Sequence, residues 1–257
     1  MSQPIIFYDI PGNAWSGQTW SPNLWKARHV FPFTYRRCPD PYAQYPDIQA
    51  HCAKLGAPAT GVRAGAPLYT LPVIQDPSTG ATVAESFAIA KYLDVTYSRG
   101  VTLVPEGTAA FQAMFVDIVH PLLNEHLLQL HLVRIAASLN PRSGEYFRRT
   151  REVMFGKPLE EIAPAPVAVA LWKKALEGFS RIHGWYNANG EGKVFFMGDA
   201  PSWADVVLVS VLAWIRVFNG SESKEWKELM AADEGRWARL WQAMEKYVRV
   251  DGGVALP

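Results

Sequence analysis

The spacing of apolar runs in the first hundred residues predicts a small α/β unit. Short apolar runs bounded by Gly, Pro and Ser are typical of strands, and they occur at 5–9, 33–37, 71–76 and 82–84. Helices are expected from Ser21-Pro22 to about Phe31, near 48–55, and from Ser86 to about Tyr97, because serine is a good N-cap and proline suits the first helical position. The predicted order is β-α-β-(α)-β-β-α, over roughly 97 residues.

After a Gly/Pro-containing linker at 98–106 the pattern changes to helical periodicity, and no clear strand is expected in 107–257. A long amphipathic helix is predicted from Phe111 to about Leu130, kinked or broken at Pro121. Ser202 and Asp205 form a capping box in front of the almost wholly apolar stretch from Val206 to Ile215, which should be a buried helix. Further helices are expected at 164–187 and 237–247.

Composition narrows the function. The 257 residues are 49% hydrophobic and 19% charged, so a sizeable core is expected, and a net charge of +1 gives no reason to expect nucleic acid as a partner. The longest apolar stretch is too short for a bilayer, and the first residues lack a charged region followed by an apolar one, so neither a signal peptide nor a membrane partner is expected. The two cysteines, Cys38 and Cys52, lack metal-ligand spacing and suit a reducing cytoplasm. No metal is predicted.

Proline inside the apolar run Leu71-Pro72-Val73 is the first chemical signal. A mid-strand proline is normally confined to an edge strand. Alternatively, a cis peptide there would turn the following residue's backbone N–H and C=O outward, where they could pair with a peptide ligand as an added strand does.

Two serines at predicted helix N-termini are the second signal. Glu85-Ser86 would place free N–H groups, a hydroxyl and a carboxylate together, which suits the amino-acid head of a γ-glutamyl group; a plain N-cap is the alternative. Ser21 either caps its helix or donates its hydroxyl to a thiolate, an interaction that lowers a thiol's pKa. The functional versions of all three sites describe one ligand, a γ-glutamyl peptide with a thiol.

Several longer segments carry a family resemblance. The runs Leu71–Pro77, Ala84–Asp94 and Gly198–Asp205 resemble cytosolic glutathione transferases. Trp20–Lys26, Tyr45–Ile48 and Leu55–Pro58 are similar to their fungal-specific etherase-like class, class FuA. The resemblance covers nearly the whole chain. It implies a thioredoxin-like domain at 1–97 with a four-stranded mixed sheet, a linker at 98–106, and an all-helical domain at 107–257.

The resemblance also implies site residues. Ser21 would be catalytic, Pro72 the cis proline, Val73 the partner of the cysteinyl backbone, and Glu85 and Ser86 the binders of the γ-glutamyl end. Many relatives of the etherase-like and thiol-transfer groups have cysteine in place of Ser21, and serine disfavours thiol-transfer chemistry because it forms no mixed disulfide. Ser16 or Thr19, in the same loop, remain alternatives to Ser21.

The expected activity is transfer of glutathione, the co-substrate, to aromatic or phenolic electrophiles, with aryl-ether cleavage as a narrower variant. The electrophile pocket should lie between the domains, with Trp20, Asn23 and Phe115 among its residues. The family usually forms homodimers, so a homodimer is expected. The alternatives are a non-catalytic ligandin that carries aromatic compounds and a scaffold that has lost glutathione.

Other polar residues indicate structural roles. His120, His126 and His131 fit no metal site well, and the basic run Arg148, Arg149 and Arg151 is interpreted as a solvated helix face.

Overall fold

A computed structural model describes residues 3–10, 20–29, 35–37, 44–97, 102–248 and 254–255. Ser16, Thr19 and Cys38 lie outside these residues, as do the first part of the linker and the end of the helix that was expected to reach Phe31. The proposed division into 1–97, 98–106 and 107–257 therefore stays a prediction.

The described strands form a five-stranded sheet and a separate hairpin. They are β1 (Ile5–Tyr8), β2 (Tyr35–Arg37), β3 (Gly61–Arg63), β4 (Ala66–Leu68), β5 (Val73–Asp76), β6 (Ala81–Ala84) and β7 (Val254–Ala255). The sheet order is β6-β5-β1-β2-β7, with β1 parallel to β2 and antiparallel to β5, while β3 and β4 pair only with each other. The four predicted strands and the mixed sheet are confirmed.

Two features of the strands differ from the prediction. The sheet has a fifth strand, because Val254–Ala255 returns from the end of the chain and pairs in parallel with β2. The expectation of no strand beyond residue 107 is therefore wrong. β7 has only two residues, which are too few to show an alternating pattern. The second difference is the β3–β4 hairpin, which is mostly exposed and therefore has no hydrophobic pattern.

The described helices agree with most of the expectations. They are α1 (Pro22–His29), α2 (Ile48–Lys54), α3 (Ser86–Tyr97), α4 (Ala109–Val119), α5 (Glu125–Ser138), α6 (Pro141–Phe155), α7 (Ala165–Asn187), α8 (Trp203–Asn219) and α9 (Lys224–Val248). The interruption expected at Pro121 is a π-helical turn, His120–Asn124, between α4 and α5. α6 was expected only as a helix face around Arg148, and the first half of α9 was not predicted, because their sequences are strongly polar. A kink at 232–235 divides α9.

α8 is the central helix of the core and joins the two halves of the molecule. Its first thirteen residues are buried, and it packs against α1 as well as against α9. The predicted capping box is present: the fully buried Asp205 accepts hydrogen bonds from the Ser202 backbone N–H at 2.8 Å and from the Ser202 hydroxyl at 2.9 Å. Since each fully buried Val, Leu or Ile contributes about 1.5–3 kcal/mol, this helix is a major source of stability.

α6 connects the helical half to the sheet half at a second place. A 3₁₀ turn, Tyr45–Asp47, precedes α2, and α6 packs on that turn. The Ser143 hydroxyl accepts from the Tyr45 backbone N–H at 3.0 Å, and Arg142 forms a two-point ion pair with Asp47. The turn and α6 thus form one rim of the space between the two halves. Within the described ranges, no helix combines the length and apolar character needed to cross a bilayer.

Candidate functional site

A cavity of about 640 Å³ lies between the two halves of the molecule. We call its lining residues from 20 to 86 the N-terminal wall, and those from 116 to 214 the helical wall. The N-terminal wall comes from α1, the Tyr45 turn, the segment before β5 and the start of α3. The helical wall comes from α4, the π turn, α5, α6 and α8.

Ser21 lies at the start of α1 and lines the cavity. Its carbonyl accepts from the backbone N–H groups of Leu24 and Trp25, both at 3.1 Å, so the main chain begins the helix at this residue. The half-buried hydroxyl makes no hydrogen bond within the part of the chain that the structure describes. It is therefore available to a ligand, and it stands at the positive end of the α1 dipole.

The segment before β5 carries the predicted cis peptide, which is the bond between Leu71 and Pro72. Both residues line the cavity. Val73 does not: its side chain is fully buried, and it lies within β5, paired with Tyr8 on one side and Ala84 on the other. The backbone N–H and C=O of Leu71 have no hydrogen-bond partner among the described residues. The main-chain groups available to a peptide are thus those of Leu71, before the proline, and the expectation for Val73 is corrected.

Glu85 and Ser86 begin α3 at the same cavity. Glu85 has a positive φ of 78°, which turns its carboxylate back over the helix end. There it accepts from the backbone N–H groups of Phe87 and Ala88 and from the Ser86 hydroxyl, all at 3.0 Å. Glu85 also donates its own N–H to the Pro72 carbonyl at 3.2 Å, so the two predicted motifs touch each other.

Lys26 is a site residue that the sequence interpretation missed. It follows Pro22 by four residues, so both lie on one face of α1, and both line the cavity. Lys26 is only 4% exposed and makes no hydrogen bond or ion pair within the described residues. Burial lowers the pKa of Lys26 from 10.5 to about 8, and the charge of Glu85 partly offsets this effect. The spacing from Pro22 was a signal that could have revealed it.

The helical wall carries a second cation, Arg151, and aromatic rings of both walls surround it. The Arg151 guanidinium lies 4.7 Å from the Phe147 ring centroid and 5.8 Å from that of Tyr45. It donates to the Tyr45 hydroxyl at 3.0 Å. The Trp20 ring stacks on Tyr45 at 6.2 Å, and Trp214 of α8 also lines the cavity.

This arrangement corrects the interpretation of the basic run as a solvated face. Arg149 is exposed as expected, but Arg151 is half-buried and faces the cavity. Hydropathy could not reveal this difference, because it arises from the docking of α6 on the Tyr45 turn.

Phe115 lies apart from the cavity wall. It is 3% exposed and packs against Trp185 and Phe196, with ring centroids 6.2 Å and 4.5 Å away. The pocket residues expected from the sequence therefore separate: Trp20 and Asn23 line the cavity, and Phe115 belongs to the core beside it. Val116, its neighbour in α4, lines the cavity instead, because adjacent residues point to different sides of a helix.

Comparison with known proteins gives consistent matches. Residues 110–247, more than half of the chain, match the family described as glutathione S-transferase, C-terminal domain. A glutathione S-transferase-like protein of Aspergillus flavus, ustS, is 32% identical over 269 residues, covering 97% of this chain and 92% of the relative.

The chain belongs to the glutathione S-transferase family.

Two solved structures of such transferases share the whole fold. The glutathione S-transferase CsGST63524 of Ceriporiopsis subvermispora, solved in complex with glutathione, is 40% identical with a TM-score of 0.90, covering 96% of this chain and 99% of its own. The glutathione transferase GSTFuA3 of Phanerochaete chrysosporium is 44% identical with a TM-score of 0.89, covering 98% and 100%. The resemblance to class FuA and the thioredoxin-like fold with an all-helical half are thereby confirmed.

Among the described residues, Cys52 and the three histidines that the sequence singles out do not form a second centre in this transferase. Cys52 is buried away from the cavity, and burial raises the pKa of its thiol to about 11, which makes it unreactive. His131 is buried against Phe218 and Trp214, and burial lowers its pKa to about 3, so it is neutral. Only His120 of the three histidines lines the cavity. No group of His, Cys, Asp and Glu among the described residues has the arrangement of a metal site.

Proposed function

We propose that the protein is a serine-type glutathione transferase that binds glutathione along its N-terminal wall and an aromatic electrophile against its helical wall. The observation that carries the proposal is the cavity, because it joins the Ser21 hydroxyl, the Leu71 backbone and the start of α3 in one space. A transferase that is 40% identical over 96% of this chain was solved with glutathione.

Each part of glutathione has a matching group. The α-carboxylate of the γ-glutamyl residue suits the α3 N-terminus at Ser86, where the Ser86 hydroxyl and the helix dipole would favour an anion. The ammonium of the γ-glutamyl residue suits the Glu85 carboxylate. Lys26 adds positive charge beside that carboxylate. The N–H and C=O of Leu71, which have no partner among the described residues, would pair with the cysteinyl backbone. This pairing directs the thiol toward Ser21.

The Ser21 hydroxyl would donate a hydrogen bond to the sulfur and stabilise the thiolate, together with the α1 dipole. The thiol proton leaves to water. The thiolate then attacks an electrophilic carbon of the second substrate, a C–S bond forms, and the displaced group departs with its electron pair. In aryl-ether cleavage, the narrower variant, that leaving group is an alkoxide or a phenolate. Serine supports this chemistry without forming a mixed disulfide.

Turnover of a chlorodinitrobenzene tests the role of Ser21. In Ser21→Ala the hydrogen bond to the thiolate is lost, and since such a bond contributes about 1.5–3 kcal/mol, kcat/KM should fall roughly 10- to 100-fold. The pKa of the bound thiol, followed by thiolate absorbance, should rise. Ser16→Ala and Thr19→Ala are matched controls from the preceding loop.

Two outcomes would contradict the proposal in different ways. Full activity in Ser21→Ala with loss in Ser16→Ala or Thr19→Ala would transfer the role to another hydroxyl. No turnover in the wild type, with tight aromatic binding, would favour the ligandin, the alternative that the aromatic rings of the cavity support.

Retention on immobilised glutathione tests the start of α3. Ser86→Ala should weaken binding about tenfold, because the hydroxyl is lost from an anion site. Ser78→Ala, in the exposed turn between β5 and β6, is the control and should bind normally. A wild type that passes through the column would instead identify a scaffold that has lost glutathione.

We further propose a cytoplasmic homodimer with a role in detoxifying aromatic compounds. Light scattering coupled to gel filtration measures the molar mass, and a mass of one chain, 28.6 kDa, would contradict the dimer.

A further inference from the structure

Two arginines three residues apart on α6 differ in their partners. Arg148 pairs with carboxylates on both sides: it donates to Glu152 at 3.0 Å and to Glu160 at 3.0 and 2.8 Å. Arg151 has no carboxylate partner among the described residues. Its hydrogen bonds go to the hydroxyls of Tyr45 and Thr150, each at 3.0 Å.

The position of Arg151 makes this difference informative. Arg151 is half-buried and lines the cavity, whereas Arg148 does not line it. A guanidinium carries five N–H donors in a planar fork that matches a carboxylate, and hydroxyls leave its charge uncompensated. The acids nearest in sequence, Glu152 and Glu160, are held by Arg148, and the two acids that line the cavity, Glu85 and Asp117, form no ion pair with Arg151 among the described residues. A carboxylate on a ligand would supply the missing partner.

Aromatic rings surround the same spot. Phe147 lies under the guanidinium at 4.7 Å, and Tyr45 lies beside it at 5.8 Å. Trp20 contacts both rings, stacked on Tyr45 at 6.2 Å and edge-on to Phe147 at 6.0 Å. Tyr45 is half-buried, whereas Trp20 and Phe147 are only 5% and 1% exposed, so a flat ligand ring that enters here meets Tyr45 and the cation, which the two buried rings support. Trp20 is also the residue directly before Ser21, so this spot adjoins the proposed thiol position.

We propose that the second substrate is an aromatic carboxylate, whose carboxylate binds Arg151 while its ring packs against Tyr45. This subsite deepens the proposed glutathione transferase function and rests on it for the identity of the first substrate. Arg151 thus orients the acceptor so that its ring faces the thiol. A neutral aromatic compound of the same shape lacks the two-point ion pair and is bound more weakly.

One other carboxylate shares this chemistry, the glycyl carboxylate of glutathione itself. The two sources are separable because γ-glutamylcysteine lacks the glycine. If Arg151 binds the acceptor, Arg151→Gln has a small and equal effect on the binding of glutathione and of γ-glutamylcysteine. If it binds the glycyl end, only glutathione is weakened.

The decisive experiment is calorimetric titration of the full-length protein, saturated with S-methylglutathione, with naphthoate and with naphthamide. The wild type should bind naphthoate about tenfold more tightly than naphthamide. Arg151→Gln should remove that preference without weakening naphthamide, and Arg151→Lys should keep part of it. Arg148→Gln is the matched control, since it removes a cation of the same helix outside the cavity, and it should keep the preference in full.

Four results would overturn the proposal: equal wild-type affinity for the two probes, a preference that survives Arg151→Gln, an equal loss in Arg148→Gln, or a loss confined to glutathione in the γ-glutamylcysteine comparison. Thermal melting checks that both Arg151 variants are folded, and Arg151→Lys retains the charge if Arg151→Gln does not fold. Titrations of naphthoate without S-methylglutathione separate the carboxylate subsite from the proposed transferase function. A chain that prefers naphthoate but does not bind S-methylglutathione contradicts the transferase function alone.

Discussion

The two walls of the cavity are built in different ways. The N-terminal wall uses the ends of elements: the start of α1 at Ser21, the backbone before β5 at Leu71, and the start of α3 at Ser86. The helical wall uses single side chains from the middle of long helices, such as Arg151 of α6 and Trp214 of α8. Element ends thus supply the proposed glutathione contacts of the first wall, and side chains from within helices supply the second wall.

This difference corresponds to two kinds of recognition. A ligand that is always the same can be bound by main-chain N–H and C=O groups, whose positions follow from strand and helix geometry. A ligand that varies between relatives is better bound by side chains, which can be replaced without changing the fold. The helical wall should therefore depend more strongly on the helical core than the N-terminal wall does.

The largest effect is expected for Asp205→Ala at the start of α8. The buried Asp205 carboxylate accepts four hydrogen bonds, from the Ser202 N–H and hydroxyl, the Phe196 N–H at 2.9 Å and the Tyr186 hydroxyl at 2.8 Å. Its loss leaves these donors buried and unpaired, so the free energy of unfolding should fall by about 4 kcal/mol. Urea unfolding measures this change, and binding of naphthoate should be lost before binding of S-methylglutathione.

Asp199→Ala is the control for this change. Asp199 is exposed and pairs only with Lys193, so its loss should alter stability by less than about 0.5 kcal/mol. Similar losses in the two variants would show that the capping box does not organise the helical wall.

The second prediction concerns Lys26→Met in the N-terminal wall. Burial lowers the pKa of Lys26 from 10.5 to about 8. Between these two pH values, Lys26 is protonated in the unfolded chain and neutral in the folded chain. The stability of the wild type should therefore rise with pH in this window relative to Lys26→Met, by about 3 kcal/mol in total. Denaturant unfolding at roughly pH 7 and pH 10 measures the difference.

Lys54→Met, at an exposed position of α2, is the matched control and should follow the wild type at both pH values. Parallel stability curves for the wild type and Lys26→Met would contradict the burial of an uncompensated ammonium in this wall.

A third, smaller effect is expected for Gly178→Ala in α7, where the helix touches the π turn that brings His120 and Asn124 to the cavity. A Cβ on Gly178 would lie 2.4 Å from the Leu122 carbonyl oxygen. The clash is with backbone, so the π turn would have to shift, at a cost of about 2 kcal/mol. Thermal unfolding measures the loss of stability, and naphthoate titration measures the effect on the helical wall.

Gly184→Ala in the same helix is the control. Its Cβ meets no atom within 4 Å, so alanine should stabilise the helix by up to about 1 kcal/mol. A loss of stability in Gly184→Ala that equals or exceeds the loss in Gly178→Ala would contradict the close approach of α7 to the π turn.

The smallest effect is expected at the contact between the walls. Ser143→Ala removes the acceptor of the Tyr45 N–H and should cost about 1 kcal/mol. Because Tyr45 belongs to the N-terminal wall but contacts Arg151 of the helical wall, naphthoate binding should weaken a few-fold while S-methylglutathione binding is unchanged. Arg142→Ala, which breaks only an exposed ion pair with Asp47, should leave the melting temperature unchanged. If Ser143→Ala weakened the binding of naphthoate and of S-methylglutathione equally, the two walls would not be distinct.

The sequence predicted those features that depend on neighbouring residues. The capping box at Ser202, the break at Pro121, the cis peptide before Pro72 and the start of α3 at Ser86 are each signalled within a few positions. The family resemblance placed Phe115 in the pocket although it packs into the core, and the local pattern placed Arg151 on a solvated face. A helical period shows which residues share a face, but it does not show which neighbour that face contacts.

The sequence by itself determined the family, the four predicted strands and the helix starts of the N-terminal wall, because strand ends and helix N-termini carry their chemistry in contiguous residues. Only the tertiary structure decided the helical wall. Whether Arg151 meets solvent, an acid or a substrate depends on how α6 docks on the Tyr45 turn, nearly a hundred residues earlier in the chain. Lys26 lies between the two cases, since its spacing from Pro22 is local, but its burial results from the packing of α1 against α8.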